Sequence, residues 1–259
     1  MHINAVLLAG GQMSPNDPLY SQAPGGSRCL MDIQGKPMVQ WVIEALDQAS
    51  SIREIYLVGL HENAELTANK PLHYVTDQGS LFDNIHQGVL RASDDHPDQT
   101  SVMVASGDIP AIKPEMVDWL AGEVVRSPDF MIYYNVIPQS VMEARFPEAN
   151  RSFVRFRDIA VCGGDLNVVD RSLFDAEQPI WNKLAEARKN PIKQVSYLGF
   201  GNLILVALRL VTLDGAVKRV CKKLNIRGKA LICPHAEMAM DADKPHQLEI
   251  LREDLGSRL

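Results

Sequence analysis

Two short polar segments could do chemistry, because each directly follows a run of apolar residues. The pair Gly10 and Gly11 ends the run 3–9. Glycines at such a point let the backbone turn sharply and let its amide groups approach an anionic ligand closely. Asp108 follows the run 101–105 after two small residues. A carboxylate at a strand end suits Mg²⁺, which prefers oxygen ligands.

Both segments also have plain structural interpretations. A glycine pair is common in an ordinary turn between a strand and a helix. Gly-Asp-x-Pro sequences often contain a turn or capping aspartate. The dinucleotide pattern G-x-G-x-x-G, the Walker pattern, H-E-x-x-H and the hydrolase elbow G-x-S-x-G are all absent from the sequence. Chemistry is therefore predicted here only if the fold brings the two segments together.

The elements around these segments predict an α/β fold. We expect strands at 3–9, 55–59, 73–75, 101–105 and 130–137, and helices at 38–49, 61–68, 80–92 and 114–125. This alternation predicts an open, mostly parallel sheet with helices on both faces. Ligands bind at the carboxyl edge of such sheets, where both polar segments would lie. In the second half we expect paired strands at 154–159 and 164–169, helices at 172–190, 213–224 and 245–253, and a last strand at 230–232.

Composition narrows the class of protein. The 259 residues are 46% hydrophobic and 22% charged, which suits one globular domain, with residues 1–137 and 138–259 as its two halves. The net charge of −6 disfavours nucleic acid as a partner. The four cysteines lack zinc-binding spacing, and the N-terminus lacks the basic region of a signal peptide. We therefore expect a cytoplasmic protein that does not bind a membrane, and we allow for a homodimer.

The order of the motifs resembles a known family. Leu8-Ala9-Gly10-Gly11 is followed by a polar loop, by Arg28 and then by Gly35-Lys36-Pro37 before a helix. This combination resembles the N-terminal signature of the NTP transferases typified by molybdenum-cofactor guanylyltransferase and sugar-phosphate nucleotidyltransferases. Gly107-Asp108-Ile109-Pro110 matches the (G/C/N)-D-x-P segment of the same family. The resemblance implies a Rossmann-like nucleotidyltransferase fold.

The resemblance also implies roles for particular residues. Leu8, Ala9, Gly10 and Gly11 would hold the base and phosphates. Arg28 would grip the triphosphate, and Asp108 would bind Mg²⁺, so that both are catalytic. The chain departs from the family in its longer loop and in Arg28, which stands where lysine is usual. Arginine binds phosphate bidentately, whereas lysine acts as a point charge. Lys36 would lie near the phosphates or be a solvated loop residue.

Several further positions keep two interpretations. Gly79 and Ser80 precede a helix, so they could meet the nucleotide, or Ser80 could simply cap the helix. Asp243 is the preferred second metal ligand, with Asp241, Asp165 and Asn167 as alternatives; Asp243 could also be a helix cap. The resemblance assigns the acceptor side to Gly164, Asp165 and Asn167. The arginines of the middle segment either favour a phosphorylated acceptor or are solvated: Arg145, Arg151, Arg155 and Arg157.

The implied reaction is transfer of a nucleoside monophosphate from an NTP to a small acceptor, with release of pyrophosphate and with Mg²⁺ as cofactor. A glycosyltransferase that uses a nucleotide-sugar is the nearest alternative, although its usual D-x-D motif is missing from the strand end at Asp108. Asp241-Ala242-Asp243 has those letters but lies near the C-terminus. A catalytically weak, nucleotide-binding regulator and an α/β module that binds no nucleotide remain as further alternatives.

Overall fold

The computed structural model describes residues 2–174, 206 and 208–258. The main sheet contains β1 (Ile3–Leu8), β4 (Ile52–Val58), β5 (Leu72–Val75), β6 (Ser101–Ser106), β7 (Ile132–Pro138), β8 (Val154–Arg155), β9 (Ala160–Gly163), β10 (Leu166–Asp170) and β11 (Gly228–Ile232). A separate small hairpin pairs β2 (Asp32–Ile33) with β3 (Lys36–Pro37). The helices in these ranges are α1 (Met38–Gln48), α2 (Leu81–Asp95), α3 (Pro114–Arg126), α4 (Gln139–Arg145), α5 (Leu213–Leu224) and α6 (Pro245–Gly256).

The strand order of the main sheet is β5-β4-β1-β6-β10-β7-β9-β8, with β11 paired to β7. Strands β5, β4, β1 and β6 are mutually parallel, as the alternation of strands and helices in the sequence predicts. Strand β10 lies antiparallel between β6 and β7. The sheet is therefore mixed but mostly parallel, and its parallel half positions the two polar segments.

The central strand β1 shows why helices cover both faces. Alternate side chains of a strand point to opposite faces. Ile3, Ala5 and Leu7 pack into the larger core, which also contains apolar side chains of α1, α3 and α6. Val6 packs into a second core under α2. A strand that is buried on both faces appears in the sequence as a continuous apolar run, as residues 3–9 do.

The structure corrects three expectations. The segment 61–68 is not an α-helix: only Glu62–Ala64 forms a short 3₁₀ turn, which Glu65 ends with a φ of 52°. The segments 154–159 and 164–169 do not pair with each other, because β8 pairs with β9 while β10 pairs with β6 and β7. Of the expected helix 172–190, the residues up to 174 lie in a 3₁₀ turn and the rest lie outside the described residues.

The other helices are confirmed, and their burial explains them. The apolar face expected for α1 is buried, including Val39, Val42 and Leu46. Pro114 occupies the first turn of α3, where a missing N–H costs nothing. No helix within the described ranges is long and apolar enough to cross a membrane.

Candidate active site

The candidate site lies at the carboxyl edge of the parallel strands. Strand β1 pairs with β6 so that Leu8 lies opposite Ser106. The Gly107 N–H donates a hydrogen bond to the Leu8 carbonyl oxygen at 2.8 Å, which joins the two strand ends. The glycine turn 9–11 and Asp108 are therefore neighbours, although they are almost one hundred residues apart in sequence.

Tight backbone packing gives the glycine turn its shape. A Cβ atom on Gly59, which follows β4, would lie 2.1 Å from the Gly10 Cα atom, and Gly59 has a φ of 100°. Gly11 also has a positive φ, of 97°, with open space where its side chain would be. Two adjacent strand ends therefore approach as closely as backbone allows, and the turn presents backbone groups to an open face.

Asp77 is a candidate site residue that the sequence motifs did not indicate. It follows β5, the third strand to end at this edge, and its carboxylate accepts hydrogen bonds from the Gly11 N–H at 3.2 Å and the Gly79 N–H at 2.8 Å. The Asn84 side-chain amide donates a third bond at 3.0 Å. The bond from Gly79, then the bond from Asn84, hold the pKa of Asp77 below its usual value. Its position directly after a parallel strand is the signal that could have identified it.

Ser80 acts as the N-cap of α2. Its hydroxyl accepts a hydrogen bond from the Asp83 N–H at 3.2 Å and donates one to the Asp83 carboxylate at 2.6 Å. Gly79 adopts a φ of 79° just before this cap. The capping interpretation of Ser80 therefore matches the structure. Gly79, in contrast, contacts Asp77 through its backbone N–H.

Asp108 is held at the end of β6 by a local hydrogen bond. The Ser106 hydroxyl donates to the Asp108 carboxylate at 2.5 Å. Burial raises the pKa of Asp108, and the negative charges of Asp241 and Asp243 raise it further, whereas the Ser106 bond and the charge of Arg28 lower it. More negative than positive charge therefore surrounds the Asp108 carboxylate.

Three other aspartates approach Asp108, and we call the four together the acidic cluster: Asp108, Asp165, Asp241 and Asp243. Backbone bonds assemble it. The Ser106 N–H donates to the Asp165 carbonyl oxygen at 2.8 Å, and the Ala242 N–H donates to the Asp108 carbonyl oxygen at 3.2 Å. Burial, followed by the charges of Asp108 and Asp241, raises the pKa of Asp165 to about 8. The candidates for a second metal ligand thus converge, apart from Asn167.

Two arginines face the acidic cluster from different sides. Arg28, on the 3₁₀ turn Arg28–Leu30, forms ion pairs with Asp243 and with Asp17 of the long loop, the latter at 3.6 Å. Arg151 pairs with Asp241, and its Nη2 atom lies 4.0 Å from Asp165 Oδ2. The sequence singled out Arg28, whereas it offered Arg151 only as one of four arginines in the middle segment.

Asn167 and Gly164, expected on the acceptor side, hold the sheet together. The Asn167 side chain accepts from the Asn135 N–H at 2.8 Å and donates to the Gly164 carbonyl oxygen at 2.9 Å. Gly164 is buried, and its N–H donates to the Asn135 carbonyl oxygen at 2.9 Å. Both ends of the Asn167 amide are therefore used by backbone, which leaves the partly buried Asp165 as the candidate functional group of this segment.

Lys36 lies away from the candidate site. Its ammonium pairs with Glu44 at 2.5 Å and lies 3.7 Å from the centre of the Trp41 ring. These contacts tie the small hairpin to α1, so the structural interpretation of Lys36 fits the observed packing.

The donor set of the acidic cluster fits a hard divalent cation. Within residues 2–174, 206 and 208–258, no three Asp, Glu, His or Cys side chains form a group that could hold a metal ion by themselves. The cluster nevertheless offers several carboxylate oxygens, the ligands that Mg²⁺ prefers. Asp165 Oδ2 is buried and accepts no hydrogen bond from the residues described. Buried carboxylates that repel one another are stabilised by a cation between them.

Known proteins resemble this chain in sequence and fold. The family model of the MobA-like NTP transferase domain matches residues 5–143. Probable molybdenum cofactor guanylyltransferases of Thermococcus kodakarensis and Thermococcus gammatolerans are 32% and 34% identical over 102 and 103 residues. These matches cover 37% and 40% of this chain and 45% and 51% of the relatives. The chain thus spans about half the length of the curated relatives that it matches.

Solved structures extend the likeness to the whole fold. A hypothetical transferase from Thermus thermophilus is 30% identical, has a TM-score of 0.81, and aligns over 96% of this chain and 100% of its own. A CMP-2-keto-3-deoxy-manno-octonic acid synthetase in complex with CTP has a TM-score of 0.60 at 16% identity, covering 99% of this chain and 100% of that one. The latter shows likeness of fold alone. The Rossmann-like nucleotidyltransferase fold is confirmed, and the chain belongs to the MobA-like NTP transferase domain family.

Proposed function

We propose that this protein transfers a nucleoside monophosphate from a magnesium-bound NTP to a small acceptor and releases pyrophosphate. The observation that carries the proposal is the junction of the glycine turn with Asp108 through the paired ends of β1 and β6. A glycine turn that a ligand can approach closely and a carboxylate suited to a cation share one edge there. Nucleotidyl transfer depends mostly on positioning and charge neutralisation, which such an edge supplies.

The base is proposed to lie beside the glycine turn and Asp77, which the hydrogen bond from the Gly11 N–H joins. A carboxylate accepts hydrogen bonds, so it favours a base edge that carries N–H donors. Guanine, cytosine and adenine all carry such donors, so the choice among them is proposed from the relatives. Relatives of this chain are named as guanylyltransferases, and one from Chlorobium luteolum, 28% identical over 112 residues, is named 2-C-methyl-D-erythritol 4-phosphate cytidylyltransferase. We therefore expect GTP to be the preferred nucleotide and CTP to be the first competitor to test.

Asp108 and Asp243 are the proposed holders of Mg²⁺. When bound, the cation would neutralise phosphate charge at the reacting centre. Arg28 is the proposed triphosphate ligand, and to reach a phosphate it must give up its pairs with Asp17 and Asp243. Asp165 is the residue that we place on the acceptor side.

Two of the four arginines of the middle segment already form ion pairs, so they are not the first candidates to bind a phosphorylated acceptor. Arg145 pairs with Glu237 and Asp254, and Arg151 pairs within the acidic cluster. Arg155 and Arg157 are exposed on and after β8 and are the better candidates for an acceptor phosphate. A homodimer, a single domain spanning 1–259 and a cytoplasmic location stay predictions.

The test is a thermal-shift panel of GTP, CTP, ATP and UTP, each with and without Mg²⁺. A ligand at one hundred times its Kd should stabilise the native state by about 2.7 kcal/mol. We expect a magnesium-dependent rise in Tm with one or two nucleotides, which Asp108→Asn abolishes. Asp98→Asn, at an exposed ion pair with Arg53, is the matched control and should retain the shift.

An assay of product formation distinguishes an enzyme from a catalytically weak, nucleotide-binding regulator. An α-labelled NTP of the preferred base should label a product in a small-molecule extract and release pyrophosphate, at a rate that Asp108→Asn lowers at least about 100-fold. A shift without product under any acceptor fraction would favour the catalytically weak relative. A shift with nucleotide-sugars alone would favour the glycosyltransferase, and no shift with any of these ligands would refute the proposal.

A further inference from the structure

Arg151 occupies the interior side of the acidic cluster. It lies between α4 and β8 in the chain, and its side chain is only 15% exposed. One guanidinium nitrogen bonds to Asp241, and Nη2 lies 4.0 Å from Asp165 Oδ2. The outer side of the cluster is closed by the more exposed Arg28.

Burying a guanidinium is costly unless carboxylates compensate it. Asp241, which is as buried as Arg151 with a side chain 13% exposed, supplies that compensation. The two groups therefore stabilise each other, and neither is free to leave without exposing an unpaired buried charge.

This pairing divides the four carboxylates into two sets. Asp241 and Asp165 face Arg151, whereas Asp243 pairs with Arg28 and Asp108 accepts a hydrogen bond from Ser106. Mg²⁺ in phosphate-handling sites is usually held by one or two carboxylates together with substrate phosphates. Asp108 and Asp243, the two carboxylates of the cluster that do not face Arg151, match that requirement for one cation and fall short of it for two.

We propose that Arg151 is a positioning residue that serves as a fixed internal cation and limits the acidic cluster to one divalent cation per chain. The inference rests on the proposed function, since it concerns the same site. Removing the guanidinium leaves Asp241 and Asp165 as an uncompensated buried pair, and a second divalent cation then replaces the lost charge.

The experiment counts Mn²⁺ bound to the whole protein without nucleotide, by the electron paramagnetic resonance signal of the free ion. We expect one Mn²⁺ per chain for the wild type and two for Arg151→Met. Arg151→Lys should bind one, because it keeps the positive charge at this position. Arg145→Gln is the matched control, because Arg145 also pairs with two carboxylates, but these are Glu237 and Asp254 outside the cluster. It should bind one Mn²⁺.

A double variant keeps the test decisive if Arg151→Met folds poorly. Arg151→Met with Asp241→Asn removes both charges of the buried pair and should return the count to one. Two ions on the wild type, or one ion on Arg151→Met with an intact circular-dichroism spectrum, overturns the inference. No Mn²⁺ on the wild type also overturns it, and the nucleotide thermal shift then tells whether the proposed function fails as well.

Discussion

At the residue scale, the candidate site depends on where its positive charges are placed. The family commonly has lysine at the position of Arg28, and an arginine there brings a planar fork that binds two oxygens at once. Arg28 uses that fork on Asp17 and Asp243 in the structure. The same geometry suits two phosphate oxygens, so the arginine fits both the closed ion pairs and the proposed substrate.

The first prediction concerns that fork. Arg28→Gln should weaken NTP binding about 10- to 100-fold, because charged hydrogen bonds contribute about 1.5 to 3 kcal/mol. Arg28→Lys should retain part of the affinity, since it keeps the charge but loses the second bond. Titration of each variant with the preferred nucleotide and Mg²⁺ measures this order, and equal affinities for wild type and Arg28→Gln would remove Arg28 from the site.

At the scale of elements, the site exists because strand ends pack against one another without side chains between them. Gly59 after β4 touches Gly10 after β1. Gly35, in the turn of the small hairpin, has a similar positive φ of 83° but nothing within 4 Å of its missing Cβ. Comparing substitutions at Gly35 and Gly59 therefore separates the cost of a left-handed backbone from the cost of disturbing a close backbone contact.

We therefore predict different outcomes for two alanine substitutions. Gly35→Ala should lower the free energy of unfolding by about 1 kcal/mol, through backbone strain alone. Gly59→Ala should lower it by more than about 3 kcal/mol, because overpacking adds to the strain. It should also weaken NTP binding by displacing the glycine turn. Urea denaturation and the thermal-shift panel measure both effects, and similar losses for the two variants would contradict this explanation.

A second prediction at this scale concerns Asp118 on α3, which binds the turn between α1 and β4. Its carboxylate accepts hydrogen bonds from the backbone N–H groups of Ser50 and Ser51 at 3.1 and 2.8 Å. Burial alone would raise the pKa of Asp118, but these bonds and that of the Ser50 hydroxyl lower it below its usual value. The carboxylate therefore stabilises the fold above that value and loses its contribution as the pH falls through the folded-state pKa.

Asp118→Asn should cost about 1 to 2 kcal/mol at pH 7. The difference from wild type should shrink as the pH drops below about 4, where the unfolded carboxyl begins to take up protons. Urea denaturation between pH 3 and 7 measures this. Ser50→Ala, which removes a hydroxyl but no backbone donor, should cost less, and a pH-independent difference for Asp118→Asn would exclude the ionised carboxylate as the cause.

At the scale of the whole molecule, the site joins parts of the chain that lie far apart. Arg28 links the long loop, through Asp17, to Asp243 just before α6. The family match ends at residue 143, so Asp165, Asp241 and Asp243 all come from beyond it. The second half of the chain therefore supplies most of the acidic cluster, while the first half supplies the glycine turn and Asp108.

This linkage predicts competition between the loop and the substrate. Asp17→Asn should tighten NTP binding by up to about fivefold, because Arg28 then gives up one ion pair fewer, and such partly exposed pairs are worth at most about 1 kcal/mol. Isothermal titration with the preferred nucleotide measures it. Asp98→Asn, in an ion pair remote from the loop, should leave the affinity unchanged, and weaker binding by Asp17→Asn would show that the contact orders the loop for the substrate instead.

The sequence by itself determined the parallel half of the fold and its edge. Short apolar runs and amphipathic helices are local patterns, and the rule that parallel strands end at one edge brings Gly10 and Asp108 together without further information. The second half has no such rule. Strand β10 enters antiparallel between β6 and β7. The backbone bond from Ala242 to Asp108, together with the ion pairs of Arg28 and Arg151, holds the last two aspartates at the site.

Only the tertiary structure decided which polar residues remain available for chemistry. Ser80 and Asn167 use their hydrogen-bonding groups on the fold, whereas Asp77 and Arg151 reach the site without belonging to a recognisable motif. A side chain's partners depend on long-range packing, because hydrogen bonds and charges act between atoms that are close in space at any separation in sequence. Local spacing therefore identified the edge, and long-range pairing selected the residues that occupy it.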